Sequence, residues 1–131
     1  MIRLRAILAG SFAIILMGLT VELALIFVLT GYYELKKLHP WVEEVGPVVG
    51  YLVGVAVFAA MMVAGGYLTA RLSRSDPRLN AGIAGFIATA ASLIPMIVSR
   101  GETNLNGILF VIFGTLFAVA GGEWRRRRSR G

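Results

Sequence analysis

The chain has 131 residues, of which 57% are hydrophobic and only 15% are charged, whereas about a quarter of the residues of a soluble domain are charged. This composition excludes an ordinary soluble domain and predicts a chain solvated by lipid, with little length left for a separate catalytic domain. The net charge of +6 comes from basic residues at the ends of apolar runs, which argues against nucleic-acid binding, and the absence of cysteine excludes disulfides and thiolate metal sites.

Four apolar runs follow one another along the chain, and each is long enough for a helix that crosses a bilayer. They cover about residues 6–30, 48–70, 79–99 and 105–122. Pro95 lies near the end of the third run, where it removes one backbone hydrogen bond. The sequence therefore predicts an all-α membrane protein, a single domain that forms a bundle of four transmembrane helices.

Lys and Arg are distributed unequally between the two ends of these helices. Ten lie on the side of the chain termini: Arg3, Arg5, Arg71, Arg74, Arg78, Arg125, Arg126, Arg127, Arg128 and Arg130. Three lie on the other side: Lys36, Lys37 and Arg100. Because basic segments resist translocation, we expect both termini, and a basic tail over residues 123–131, in the cytoplasm. Residues 31–46 then form an external loop, in which a short surface helix would be broken at Pro40.

Glu22 is the one charged residue inside a predicted transmembrane run, where a carboxylate costs about 2.5–3.5 kcal/mol unless it is paired, neutralised or hydrated. Helical spacing puts it on one face with Ser11 and Gly18, and we expect that face to point into the bundle. At similar depth, Tyr51 and Ser92 are its candidate hydrogen-bond partners. Two interpretations stay open: a proton or cation site, or a protonated carboxyl that joins helices by hydrogen bonds.

Small residues recur at helical spacing on three of the predicted helices. The second has Gly46, Gly50 and Gly54; the third has Ala81, Gly85 and Ser92; the fourth has Gly107, Gly114, Ala118 and Gly122. Such strips let helix backbones approach closely. We expect them to pack the chain's own bundle, and the alternative is a strip that faces a partner protein.

The basic tail begins with an aromatic residue and four arginines: Trp124, Arg125, Arg126, Arg127 and Arg128. Each basic residue near an anionic lipid surface contributes about 1 kcal/mol of attraction. We interpret the tail as the topology anchor of the fourth helix, with membrane lipids as its partner and lipid-headgroup contact as a consequence.

Two sequence likenesses bear on the family and on the architecture. The second helix ends in residues 65–71, Gly-Gly-Tyr-Leu-Thr-Ala-Arg, and the third carries Gly82 and Gly85. These segments resemble uncharacterised bacterial four-helix membrane proteins with a GGYxxAR-like end of their second helix. The resemblance implies a small protein of the bacterial inner membrane and transfers no active site. In addition, residues 9–12 resemble 84–86, and 63–66 resemble 119–122, which would fit two hairpins in a parallel repeat.

No nucleophile, base and orienting group combine in the sequence, so we expect no enzyme, no metal and no cofactor. His39 is the only histidine, which is little for a pigment-binding subunit. The leading hypothesis is a non-enzymatic membrane subunit or accessory protein of a larger membrane assembly. The alternative is a small homo-oligomeric transporter or channel that uses Glu22.

Overall fold

The computed structural model describes residues 2–101 and 104–131. Within them the chain folds into four helices: α1 (Leu4–Leu38), α2 (Trp41–Ser73), α3 (Pro77–Arg100) and α4 (Leu105–Arg128). Each is long and apolar enough to cross a membrane, and the described residues contain no strand. The prediction of four apolar helices in an all-α fold is confirmed.

The first two helices are longer than predicted, and residues 31–46 are not a loop; the fourth is longer too, because residues 123–128 of the predicted tail continue α4. Within residues 31–46 only His39 and Pro40 are non-helical. His39 is extended (φ −135°, ψ 96°), as expected for a residue that precedes proline. The two helix ends are held together across the turn, because Lys36 Nζ lies 2.7 Å from Glu43 Oε1. Counting apolar residues missed these turns, since a helix can continue past the point where its side chains become polar.

In cross-section the four helices form a rhombus. α2 packs against α3 in the middle, and α1 and α4 each pack against both of them. Among the described residues α1 and α4 do not contact each other, so they lie on opposite sides of the α2–α3 pair. Consecutive helices run antiparallel, so the two termini and the α2–α3 turn share one end of the bundle. We call it the basic end, because most of the arginines lie there.

The tightest packing is in the half of the bundle nearest the basic end. A Cβ atom on Gly66 would meet the backbone of Ala118, and one on Gly121 would meet the backbone of Val63. α2 and α4 therefore approach backbone to backbone, as small residues allow in membrane helices. Met62 is fully buried and packs in the same core as Ala118.

Asn80 fastens the start of α1 to the turn between α2 and α3. Its side chain is fully buried. Its Oδ1 accepts a hydrogen bond from the backbone N–H of Arg3 at 2.9 Å, and its Nδ2 donates to the carbonyls of Ser75 (2.8 Å) and Asp76 (3.1 Å). One side-chain amide thus binds three backbone groups at the basic end, of which the Asp76 carbonyl also accepts the backbone N–H of Asn80 at 3.1 Å.

At the opposite end, α1 and α2 extend beyond α3 and α4. Ser11 of α1 contacts Ala84 of α3, and the two helices run in the same direction. The end of α3, 16 residues after Ala84, therefore lies near the level of Phe27 in α1. The contact of Gly66 with Ala118 likewise puts the start of α4 near the level of Val53 in α2. Residues 27–38 and 41–52 therefore form a two-helix projection about 17 Å long, which we call the hairpin extension.

Candidate functional site

A half-enclosed cavity of about 480 Å³ lies between α1, α2 and α3, with Phe110 contributed by α4. Glu22 and Ser92, which the sequence suggested as partners, both line it. Both residues are exposed, so they mark the side on which the cavity opens to the surroundings of the bundle. The cavity borders the tightly packed half, since the buried core residues Ile14 and Met62 also line it.

One wall of the cavity is formed by a single face of α1. Ser11, Gly18 and Glu22 lie on this face at helical spacing, and Gly18 and Glu22 line the cavity. Ser11 is buried, and its hydroxyl donates to the carbonyl of Ala84 at 3.1 Å, which holds α1 against α3. Two turns further on, a Cβ on Gly18 would have the Met61 methyl group, at 4.0 Å, as its nearest neighbour. The missing side chain of Gly18 therefore leaves room, and Glu22 lies one turn beyond it.

The hydroxyl groups that line the cavity can accept hydrogen bonds, but no described lining residue carries a positive charge. The Ser92 hydroxyl donates to the carbonyl of Ala88 at 2.8 Å, and that of Thr89 donates to the carbonyl of Gly85 at 2.8 Å. Each oxygen can still accept a hydrogen bond. No lysine, arginine or histidine is among the described residues that line the cavity. Glu22 is therefore an acidic group in a largely apolar pocket.

The apolar lining includes aromatic rings and methionines. Phe58 and Phe110 stack with ring centroids 4.8 Å apart and an interplanar angle of 29°. Met61, Met62 and Met96 add thioethers. Methionine side chains adapt to irregular shapes and are polarizable, so this wall can accommodate ligands of different outline.

Tyr51, the third residue of the predicted polar group, lies elsewhere. It does not line the cavity, and 73% of its surface is exposed. Contacts of Gly10 with Thr69 and of Tyr32 with Gly46 fix the α1–α2 register. In that register Tyr51 is about 9 Å further along the hairpin than the position opposite Glu22. The sequence predicts the second helix from residue 48, whereas α2 begins at Trp41.

The four glycines proposed for helix packing have different surroundings. A Cβ on Gly85 would meet the Cβ of Ala118, at 2.5 Å, and one on Gly46 would meet the ring of Tyr32. Gly50 and Gly54 would meet nothing within 4 Å. For these two, the expected packing inside the chain's own bundle is corrected, because α4 begins only near their level and no described side chain or neighbouring backbone approaches them.

At the basic end, the arginines of the tail are partly engaged by Glu123. Its carboxylate lies 2.5 Å from Arg78 of α3, 2.8 Å from Arg126 and 3.0 Å from Arg127. Trp124 is exposed and meets Tyr67 edge to face, with centroids 5.9 Å apart. The sequence interpretation of Trp124 to Arg128 as a topology anchor in contact with lipid headgroups stays a prediction, and it missed this link between the ends of α3 and α4.

The described residues contain no group of three or more acidic or histidine side chains arranged to hold a metal ion. No protein-family model, curated protein or solved structure matches this chain.

Proposed function

We propose that this chain is a non-enzymatic subunit or accessory protein of a larger assembly in the bacterial inner membrane. It would attach to another membrane protein through the hairpin extension and the surface of α2 around Gly50 and Gly54. The observation that carries the proposal is the open space over these two glycines. The other glycines of the same helix, Gly46, Gly65 and Gly66, each lie against a neighbouring residue of the chain.

Open glycines are costly unless something approaches them. In a helix each glycine is less favourable than alanine by about 1 kcal/mol. The compensation in a membrane helix is close approach by a second backbone, which small-residue strips permit. Within the described chain nothing makes that approach to Gly50 and Gly54. A transmembrane helix of a partner, itself carrying small residues, would supply it.

The apolar lengths of the helices support a partner at the same place. Apart from Glu22, α1 has no charge over 6–33 and α2 has none over 45–70, about 42 and 39 Å of helix. The apolar stretches 79–99 and 105–122 of α3 and α4 are about 32 and 27 Å, close to the hydrocarbon thickness of about 30 Å. A bilayer matched to α3 and α4 leaves apolar residues of the hairpin extension outside its hydrocarbon, and a partner protein would cover them.

For the orientation, we infer that the basic end faces the cytoplasm and that the hairpin extension faces outward. The grouping of ten of the thirteen Lys and Arg residues at that end supports this, since cytoplasmic segments of inner-membrane proteins are enriched in them. α1 with α3, and α2 with α4, form the parallel contacting pairs, an arrangement that suits a parallel two-hairpin repeat.

The proposal is tested by co-purification in mild detergent with mass spectrometry, comparing the unmodified chain with the double variant Gly50→Leu/Gly54→Leu. We expect the variant to fold, with a thermal stability no lower than that of the unmodified chain because leucine is a better helix former than glycine, and to lose a partner that the unmodified chain retains. The matched control is Ala9→Leu/Ala120→Leu, which adds the same side chains at exposed positions outside the extension and should retain the partner. Equal co-purification by all three chains would contradict the proposal.

A second candidate function is a small homo-oligomeric transporter or channel that uses Glu22. The position of this carboxylate in the wall of a cavity favours it. Under this hypothesis the purified chain alone forms a symmetric oligomer, and Glu22→Gln abolishes a flux without changing the oligomer. A monomer in native mass spectrometry from lipid nanodiscs would argue against this candidate.

A further inference from the structure

Glu22 has no positively charged partner among the described residues that line its cavity. Among its described lining residues, Glu22 is the only one with a formal charge, and the hydroxyls of Ser92 and Thr89 already donate to backbone carbonyls. A carboxylate within the hydrocarbon is unfavourable unless a cation, a proton or water compensates it. The lining residues supply no cationic group.

The rest of the lining defines the kind of cation that fits. Phe58 and Phe110 present stacked rings, and aromatic rings attract ammonium groups by cation–π interaction. Met61 and Met96 add a polarizable apolar surface. The volume, about 480 Å³, lies within the range of small-molecule sites.

We propose that this cavity binds a lipophilic organic monocation, such as a substituted ammonium. The cationic centre lies against the Glu22 carboxylate, with Ser92 as a further oxygen acceptor, and the apolar body lies among Phe58, Phe110 and Met61. Because Glu22 and Ser92 are exposed at the opening, the ligand enters from the side of the bundle, out of the lipid into which such a molecule partitions.

Other occupants fit less well. A hard metal cation takes several oxygen ligands, whereas the lining offers one carboxylate and two side-chain hydroxyls among apolar groups. A lipid acyl chain would fill the apolar part but leave Glu22 without a counter-charge. An organic monocation supplies a counter-charge to Glu22 and an apolar body that contacts the apolar lining.

This inference deepens the second candidate function by naming its ligand class, and it does not depend on the subunit proposal. Binding requires neither self-association nor flux. Failure of the transport hypothesis would therefore leave the binding site intact, and loss of binding would leave the co-purification experiment unaffected.

The test is equilibrium dialysis of radiolabelled benzyltriethylammonium against the full chain in nanodiscs, with empty nanodiscs as the blank. We expect saturable binding that Glu22→Gln weakens at least about tenfold, because it removes the counter-charge. Glu34→Gln is the matched control: Glu34 is exposed on the hairpin extension and already pairs with Lys37, and we expect its replacement to leave binding unchanged.

Two further variants separate charge from shape. Gly18→Leu fills the cavity and keeps Glu22, so it should also weaken binding at least about tenfold. Glu22→Asp keeps the charge and should retain more affinity than Glu22→Gln. Absence of saturable binding by the unmodified chain, equal binding by Glu22→Gln, or equal losses in the Asp and Gln variants would overturn the proposal.

Discussion

Gly66 of α2 lies so close to Ala118 of α4 that a Cβ on Gly66 would be only 2.7 Å from the Ala118 carbonyl carbon. Since the obstacle is backbone, no rotation of a side chain can make room. This contact, together with that of Gly121 and Val63, sets the distance between α2 and α4.

We therefore expect Gly66→Ala and Gly121→Ala each to destabilise the purified protein by about 1–3 kcal/mol, the usual cost of overpacking. Thermal unfolding in detergent measures this. Equal melting temperatures for these variants and the unmodified chain would show that the two helices are not in backbone contact.

The same substitution should have the opposite effect at the open glycines. With nothing within 4 Å of an added Cβ, Gly50→Ala and Gly54→Ala should each stabilise the isolated chain by about 0.5–1 kcal/mol through helix propensity. A loss of stability in these variants, measured in the same detergent, would mean that both positions pack within the bundle.

Asn80 should be the polar residue whose loss costs most at the basic end. Asn80→Ala removes hydrogen bonds to the backbone of Arg3, Ser75 and Asp76, and an intramolecular hydrogen bond contributes about 0.5–1.5 kcal/mol. We expect a clear fall in thermal stability. Asn106 is exposed, so Asn106→Ala is the control and should change stability by no more than about 0.5 kcal/mol. Equal effects of the two variants would contradict the role of Asn80.

Orientation can be measured with single cysteines, because the chain has none of its own. His39 and Ser129 are exposed at opposite ends of the bundle. We expect a membrane-impermeant maleimide to label His39→Cys in intact cells and Ser129→Cys only after permeabilisation. The reverse pattern would place the basic end outside.

Sequence reasoning predicted those features that lipid itself imposes. A membrane requires about 20 apolar residues for each helix, so four helices could be read from four apolar runs. The turns of α1 and α2 beyond the apolar runs could not, since they depend on pairing across the hairpin, as between Lys36 and Glu43. Lipid places no constraint on that pairing.

The candidate site could be predicted only in part from the sequence. Helical spacing and similar depth suggested Glu22 together with Ser92, and the structure brings both into one cavity. Tyr51 was misplaced because its depth depends on where α2 begins. Glycines spaced four residues apart identify one face of a helix but not what lies opposite that face. The open surroundings of Gly50 and Gly54 could therefore be recognised only from the three-dimensional contacts.

The central claim, attachment of the α2 surface to another membrane protein, is tested most directly by photo-crosslinking in cells that make the protein. A benzophenone side chain in place of Tyr51, an exposed aromatic between the two open glycines, would report its neighbours. Phe86 on α3, also exposed and aromatic, is the control position. We predict that position 51, and not position 86, crosslinks to one defined membrane protein other than this chain. Crosslinks from position 51 only to lipid, or only to a second copy of the chain, would contradict the account.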